Sequence, residues 1–412
     1  MRILDKILKS EKMLVLADQA IHSGMSFLVT LALVRLLDPE SFGWYTSMFL
    51  FILFMVSVSN ALLIQPLQVY LAKVHDYRTY YSFALSMQLI LLFLIILALQ
   101  VVFQFELSFL DVLYPSQIGF ILFVGSYVLH DFFRKYLLAR ALLLHAFLMD
   151  LLTFICLLLA LTFLYLTQAT LDRVVLVIAL SYLPSIVGVS LQQRPSLSNW
   201  TSWTQYFKVH KKEGKWFLMT SVLQWWASNL FVVASGAFLG AKAIGAFRLV
   251  QMVFGVLNVL LQTLENYALP YAARLLENSI DESKQYLRNL SGQISLLAGL
   301  LLLVVFFFPE FILSLIAGPE YEAYAFLVQG MAVLYFIIFI GYPIRMAIRM
   351  LNLNQFFFMG YVLSFVFSLL SFKYLLAQWN LWGAISGLII NQLLLLSFWY
   401  FILINKKFNL WK

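Results

Sequence analysis

Apolar residues fill this chain in runs of about twenty or more, and polar residues gather in short breaks between them. A helix rises about 1.5 Å per residue, so each run is long enough to cross a bilayer. The pattern predicts an all-α, polytopic membrane protein with about twelve spans. They fall near 13–37, 43–70, 80–104, 113–138, 143–167 and 172–192 in the first half. In the second half they fall near 214–239, 245–270, 287–308, 323–345, 354–377 and 380–404. The expected organisation is an N-terminal six-helix lobe over 1–192, a cytoplasmic amphipathic linker over 193–213 and a C-terminal six-helix lobe over 214–412. In the linker, Trp200, Trp203 and Phe207 recur at helical spacing and Lys208, Lys211 and Lys212 follow, a pattern suited to the inner membrane interface.

Polar residues inside the spans break the pattern, and they do so in stripes. Asp18, Gln19, His22, Ser23, Ser26 and Thr30 share one face of span 1. An aspartate at the centre of a membrane helix costs about 2.5–3.5 kcal/mol, so Asp18 needs water or a partner. Span 8 carries Arg248, Gln251, Gly255, Asn258, Gln262 and Glu265 in steps of three and four. Each stripe either lines a cavity or forms a hydrogen-bonded seam between helices of one lobe. On the cavity reading Arg248, Gln251, Asn258, Gln262 and Gln224 are substrate-binding candidates, and Asp18, His22 and Glu265 are candidates for ion coupling. Arg345 and Arg349 sit one turn apart where span 10 leaves the membrane. They anchor that end or hold a phosphate, since guanidinium suits bidentate contacts. Asp131 reads as a local ion-pair set with Arg134 and Lys135, Asp150 as interfacial, and Arg35 with Asp38 as a pair or cap at an outer turn.

A shift of 202 residues brings the halves into partial register. Phe42-Gly43-Trp44-Tyr45 falls on Ile244-Gly245-Ala246-Phe247, Asp18-Gln19 on Thr220-Ser221, His22 on Gln224 and Ser26 on Ser228. Two parallel six-span repeats follow from this register.

Composition narrows the class further. The chain is 63% hydrophobic and 11% charged, against about 25% charged in soluble domains. All but five of its 27 basic residues fall on one side of the predicted spans; the exceptions are Arg35, Arg173, Lys242, Arg248 and Lys373. The positive-inside rule then places both termini in the cytoplasm. The net charge of +8 therefore speaks of membrane topology, and nucleic acid is not expected as a partner. The first apolar run is too long for a signal-peptide core and is expected to remain as a span. The single Cys156 allows no intrachain disulfide and no cysteine-based metal cluster. No phosphate-binding lysine loop, HExxH or GxSxG occurs, so no enzyme activity and no cofactor are expected.

The stretch "DQAIHSGMSFLVTLALVRLLDPESFGWYTS", with Asp18-Gln19, Gly24, Arg35-Leu36-Leu37 and Glu40-Ser41-Phe42-Gly43, resembles the first two spans of bacterial polysaccharide-export proteins. These are the O-antigen and exopolysaccharide repeat-unit flippases (Wzx-type) of the multidrug/oligosaccharidyl-lipid/polysaccharide superfamily. "HDFFRKYLLARALLLHAFLMD" and "WNLWGAISGLIINQLLL" are similar to the same family's span 4–5 connection and last span. The resemblance covers the whole length. It implies two six-helix lobes in a V, as in the superfamily's multidrug exporters, opening alternately to each side of a bacterial inner membrane. It further implies export of a polyprenyl-pyrophosphate-linked oligosaccharide, with its lipid tail in the bilayer. H+ or Na+ gradients or the membrane potential would drive the step, and polysaccharide-assembly proteins would be contacts. Two competitors are a drug/cation antiporter of the same superfamily and, from another class, a membrane glycan polymerase or acyltransferase. Short outer loops weigh against the latter.

Overall fold

The computed structural model describes residues 11–71, 74, 76–105, 116–193, 195 and 200–411. Arg2, Lys6, Lys9, Lys73, Arg194 and Lys412, which entered the charge census, lie outside the described residues, as do 196–199 of the expected linker.

The described chain is almost wholly helical. Its first helices are α1 (Glu11–Leu36), α2 (Pro39–Ser59), α3 (Gln65–Tyr70), α4 (Tyr77–Gln104) and α5 (Gln117–Ala139). There follow α6 (Leu143–Thr167), α7 (Leu171–Ser181), α8 (Leu183–Gln192), α9 (Trp200–Leu239) and α10 (Ala241–Asn278). The last are α11 (Ile280–Phe307), α12 (Pro309–Ala317), α13 (Ala325–Met350) and α14 (Asn354–Asn405). Among the described residues, ten helical segments are long and apolar enough to cross a membrane. The charge-bearing α5 is not among them.

Local chemistry sets the breaks. Asp38 caps α2: its carboxylate accepts from the backbone N–H groups of Glu40 (3.0 Å) and Ser41 (3.1 Å), and Pro39 supplies a preset first turn. Ser279 caps α11 with Glu282 three residues on, the capping-box order. Asn380 interrupts α14 with φ 49° and ψ −131°. A straight helix of 52 residues would run about 78 Å. Yet Trp399 Nε1 donates to the Phe356 carbonyl at 3.2 Å, and Ser364 Oγ donates to Asn391 Oδ1 at 2.6 Å. Residues so far apart in sequence can meet only if the helix folds back, so α14 is an antiparallel hairpin. Gly383 lies against the Leu375 backbone beside the turn, where a Cβ has no room.

The chain forms two compact units, Met1–Val222 and Leu223–Lys412. The division falls inside α9, a continuous helix of 40 residues, so 200–213 runs unbroken into the helix expected from 214. Its first turns belong to unit 1. His210 Nε2 lies 2.8 Å from the Tyr80 hydroxyl, and its Nδ1 donates to the Leu62 carbonyl at 3.2 Å. Leu62 sits in a wide π-type turn, Asn60–Ile64, between α2 and α3. Tyr206 stacks edge-on against Tyr80 on the same face, while Lys208, Lys211, Lys212 and Lys215 point outward. Tyr206 and His210 are thus buried on protein, while Phe207 of the expected aromatic stripe is exposed.

Candidate functional site

Unit 1 holds a buried charge cluster. Asp18 lies two turns into α1, Arg134 about three-quarters along α5 and Asp150 two turns into α6. Arg134 Nη2 donates to Asp18 Oδ2 at 2.5 Å, and its Nε donates to Asp150 Oδ2 at 2.7 Å. All three side chains are buried, Asp150 completely. Two histidines close the cluster: His22 Nδ1 is 3.5 Å from Asp150 Oδ2, and His130 Nε2 is 3.7 Å from Asp150 Oδ1. His130 Nε2 also lies 3.0 Å from Thr153 Oγ1. One guanidinium faces two carboxylates, so with neutral histidines the cluster carries a net negative charge.

Beside the cluster lies a small cavity of about 40 Å³. His22, Ser26 and Thr30 of α1 line it with His130 and Asp131 of α5 and the rings of Tyr45, Phe49, Tyr127 and Tyr182. The polar stripe of span 1 therefore divides: His22, Ser26 and Thr30 reach the cavity, while Asp18 turns to Arg134. Gln19 donates to Ser23 on the same helix at 3.0 Å.

The structure corrects two expectations about this region. Arg134 does not join a local set with Asp131. Lys135 alone pairs with Asp131, at 2.8 Å, because residues four apart share a helix face and Arg134 projects toward α1 and α6. Asp150 is not interfacial but the most buried carboxylate of the cluster. Arg134, Asp150 and His130 are thus members that sequence reasoning missed. The usable signal was Asp18 itself, a carboxylate within a span that demanded a cation.

Unit 2 brings together another set. α10 and α13 meet in a repeating register: Asn258 hydrogen-bonds Tyr335, and seven residues on Glu265 Oε2 accepts from the Tyr342 hydroxyl at 2.6 Å. Tyr342 also has the Leu261 carbonyl in reach at 2.7 Å. Arg349, a further seven residues along, is ion-paired with Glu265 Oε1, and Arg345 Nε lies 3.7 Å from Oε2. Glu265 is buried, while the Arg345 and Arg349 side chains are 38% and 41% exposed. Near the other end of α10, Arg248 Nη1 donates to Gln251 Oε1 at 3.2 Å. Asn258 and Gln262 are exposed, Gln251 is half-buried, and Gln224 is half-buried on α9. The span 8 stripe is therefore part seam and part open face. Arg345 and Arg349, read from sequence as anchors or phosphate ligands, both turn to Glu265.

No protein-family model matches the sequence, and no curated protein does. Solved structures do. An inward-facing multidrug-resistance MATE-family transporter of the MOP superfamily superposes with a TM-score of 0.72 at 11% identity, covering 95% of this chain and 93% of that one. The lipid II flippase MurJ in an inward closed conformation gives 0.70 at 10% identity, over 96% of this chain and 87% of that one. A MOP-superfamily transporter from Pyrococcus furiosus gives 0.61 at 10% identity, over 99% and 98%. The fold is that of the MOP-superfamily transporters. At such identities the likeness is one of fold, and that fold serves both drug exporters and a lipid-linked flippase.

Proposed function

We propose that the protein is a bacterial inner-membrane transporter of the Wzx type. It flips a polyprenyl-pyrophosphate-linked oligosaccharide repeat unit from the inner to the outer leaflet by alternating access, for cell-surface polysaccharide assembly. The observation that carries this reading is the cationic, amide-bearing α10–α13 face: Arg248 with Gln251, exposed Asn258 and Gln262, and two arginines around one glutamate. Guanidinium and amide groups suit an anionic diphosphate and sugar hydroxyls. The unit 1 cluster, with Asp18 and His22, supplies the place where H+ or Na+ couples to conformation. In this reading the protein is a transporter and not an enzyme, and assembly proteins acting on the exported unit are its neighbours.

Twelve spans in two six-helix lobes follow if α5 and both legs of α14 are counted as crossings. An even number puts both termini on the same side, and the bias of basic residues makes that side the cytoplasm in this reading. A reporter active only outside the cytoplasm should be active when fused after Gly318 and silent after Lys407. The reverse at either site overturns the topology.

Arg248→Ala tests the function. Surface glycan should fall about tenfold with protein abundance near normal, and Lys should rescue poorly if the contact is bidentate. Unchanged glycan removes Arg248 from the site.

One observation favours a second reading. The unit 1 cavity combines Asp131 with four aromatic rings, a setting that attracts organic cations. A drug/cation antiporter would protect cells from cationic dyes and leave surface glycan intact on deletion.

A further inference from the structure

The Glu265 cluster has more positive charge than its own carboxylate can neutralise. Two guanidiniums stand one helical turn apart on α13 and share one carboxylate from α10. Each guanidinium offers five N–H donors in a fixed fork. Glu265 pairs closely with Arg349 and lies 3.7 Å from Arg345 Nε, and about two-fifths of each arginine side chain remains exposed. Arg345 Nε is buried without a hydrogen-bond partner, since its ion-pair distance to Glu265 is 3.7 Å. The Arg345 guanidinium is seated over the Phe357 ring, 5.9 Å from its centroid, which fixes its plane without consuming a donor. Tyr342 can give its single proton to Glu265 or to the Leu261 carbonyl, so it stays satisfied whichever way the carboxylate leans.

We propose that Arg345 and Arg349 form a diphosphate site whose strength Glu265 sets. Side chains one turn apart on a helix stand about 5–6 Å apart at Cβ, so two adjacent phosphoryl groups can each meet one guanidinium fork. A phosphodiester has one phosphoryl group and fills half of the site. Glu265 acts as a resident anion: it holds the two arginines in register while the site is empty and repels the ligand when it is full. The carboxylate therefore tunes affinity downward, which lets a transporter release what it has bound. The inference rests on the flippase reading only for the lipid attached to the diphosphate; the site itself recognises the diphosphate.

The test is binding to the purified full-length protein in nanodiscs of zwitterionic lipid, with farnesyl diphosphate and inorganic pyrophosphate as probes and phosphatidylglycerol as competitor. Wild-type protein should bind farnesyl diphosphate. Glu265→Gln, which keeps shape and removes the negative charge, should bind it about tenfold more tightly. Arg345→Gln with Arg349→Gln should lose binding, and the double Lys variant, which keeps charge but not the fork, should weaken it. If Glu265→Gln does not fold, Glu265→Asp draws the carboxylate back by one methylene and should shift affinity the same way by less. Equal binding of pyrophosphate supports the site and assigns its ligand to free diphosphate; preference for the farnesyl form supports it and assigns a lipid. Unchanged or weaker binding in folded Glu265→Gln overturns the role of Glu265, and displacement by phosphatidylglycerol as effective as by pyrophosphate overturns the diphosphate site. Intact binding together with intact surface glycan in a deletion strain would count against the flippase reading alone.

Discussion

Both units use arginine–carboxylate clusters, with opposite stoichiometry and opposite exposure. In unit 1 one arginine serves two aspartates and all three are buried. In unit 2 one buried glutamate serves two arginines that are each more than a third exposed. On the proposed function the two clusters take different tasks. The buried cluster with excess negative charge is the one proposed to take H+ or Na+. The more exposed pair of arginines is the one proposed to take a diphosphate. Burial also sets the stability at stake. Removing one partner from a buried pair strands a charge in low dielectric, whereas an exposed pair contributes little.

The largest effect is expected at Arg134. Arg134→Ala leaves Asp18 and Asp150 buried without a cation and should cost about 3–5 kcal/mol, read as loss of folded protein in a detergent melt. Adding Asp18→Asn and Asp150→Asn to the same variant should restore much of it, since no buried charge then remains unpaired. A melt unchanged by Arg134→Ala would erase the contrast between the units.

Asp18→Asn is the gentler probe. The amide oxygen can still accept from Arg134, and the cluster becomes neutral with neutral histidines. Folded protein whose transport no longer responds to an imposed H+ or Na+ gradient is the expected result in reconstituted vesicles. A normal gradient response at matched protein levels would end the coupling role of Asp18.

The smallest effect is expected at Arg349. Glu265 keeps Arg345 and Tyr342 when Arg349 is replaced by Ala, so stability should fall by less than about 1 kcal/mol. A melt as damaged as that of Arg134→Ala would show that unit 2 relies on its cluster as a structural core.

Much of the fold was legible in the sequence because the bilayer imposes a length on every apolar run. The predicted spans 354–377 and 380–404 separate at Asn380, where the helix turns back, and the span near 43–70 covers α2 through α3. The candidate sites were legible by face and not by partner. Helical spacing placed Asn258 and Glu265 on one stripe, but nothing in that spacing named Tyr335 and Tyr342 as the residues they would meet. Arg134 beside Asp131 invited a local pairing, and only packing revealed that it reaches Asp18 from far along the chain.

The sequence by itself determined which segments are apolar helices and which face of each carries polar groups. Those properties depend on transfer from water and on a fixed helical period, both of them local. Only the tertiary structure decided that Asp18, Arg134 and Asp150 share one buried cluster and that Glu265 holds both Arg345 and Arg349. Charge pairing falls off with distance in space, and separation along the chain carries no information about it until the helices pack.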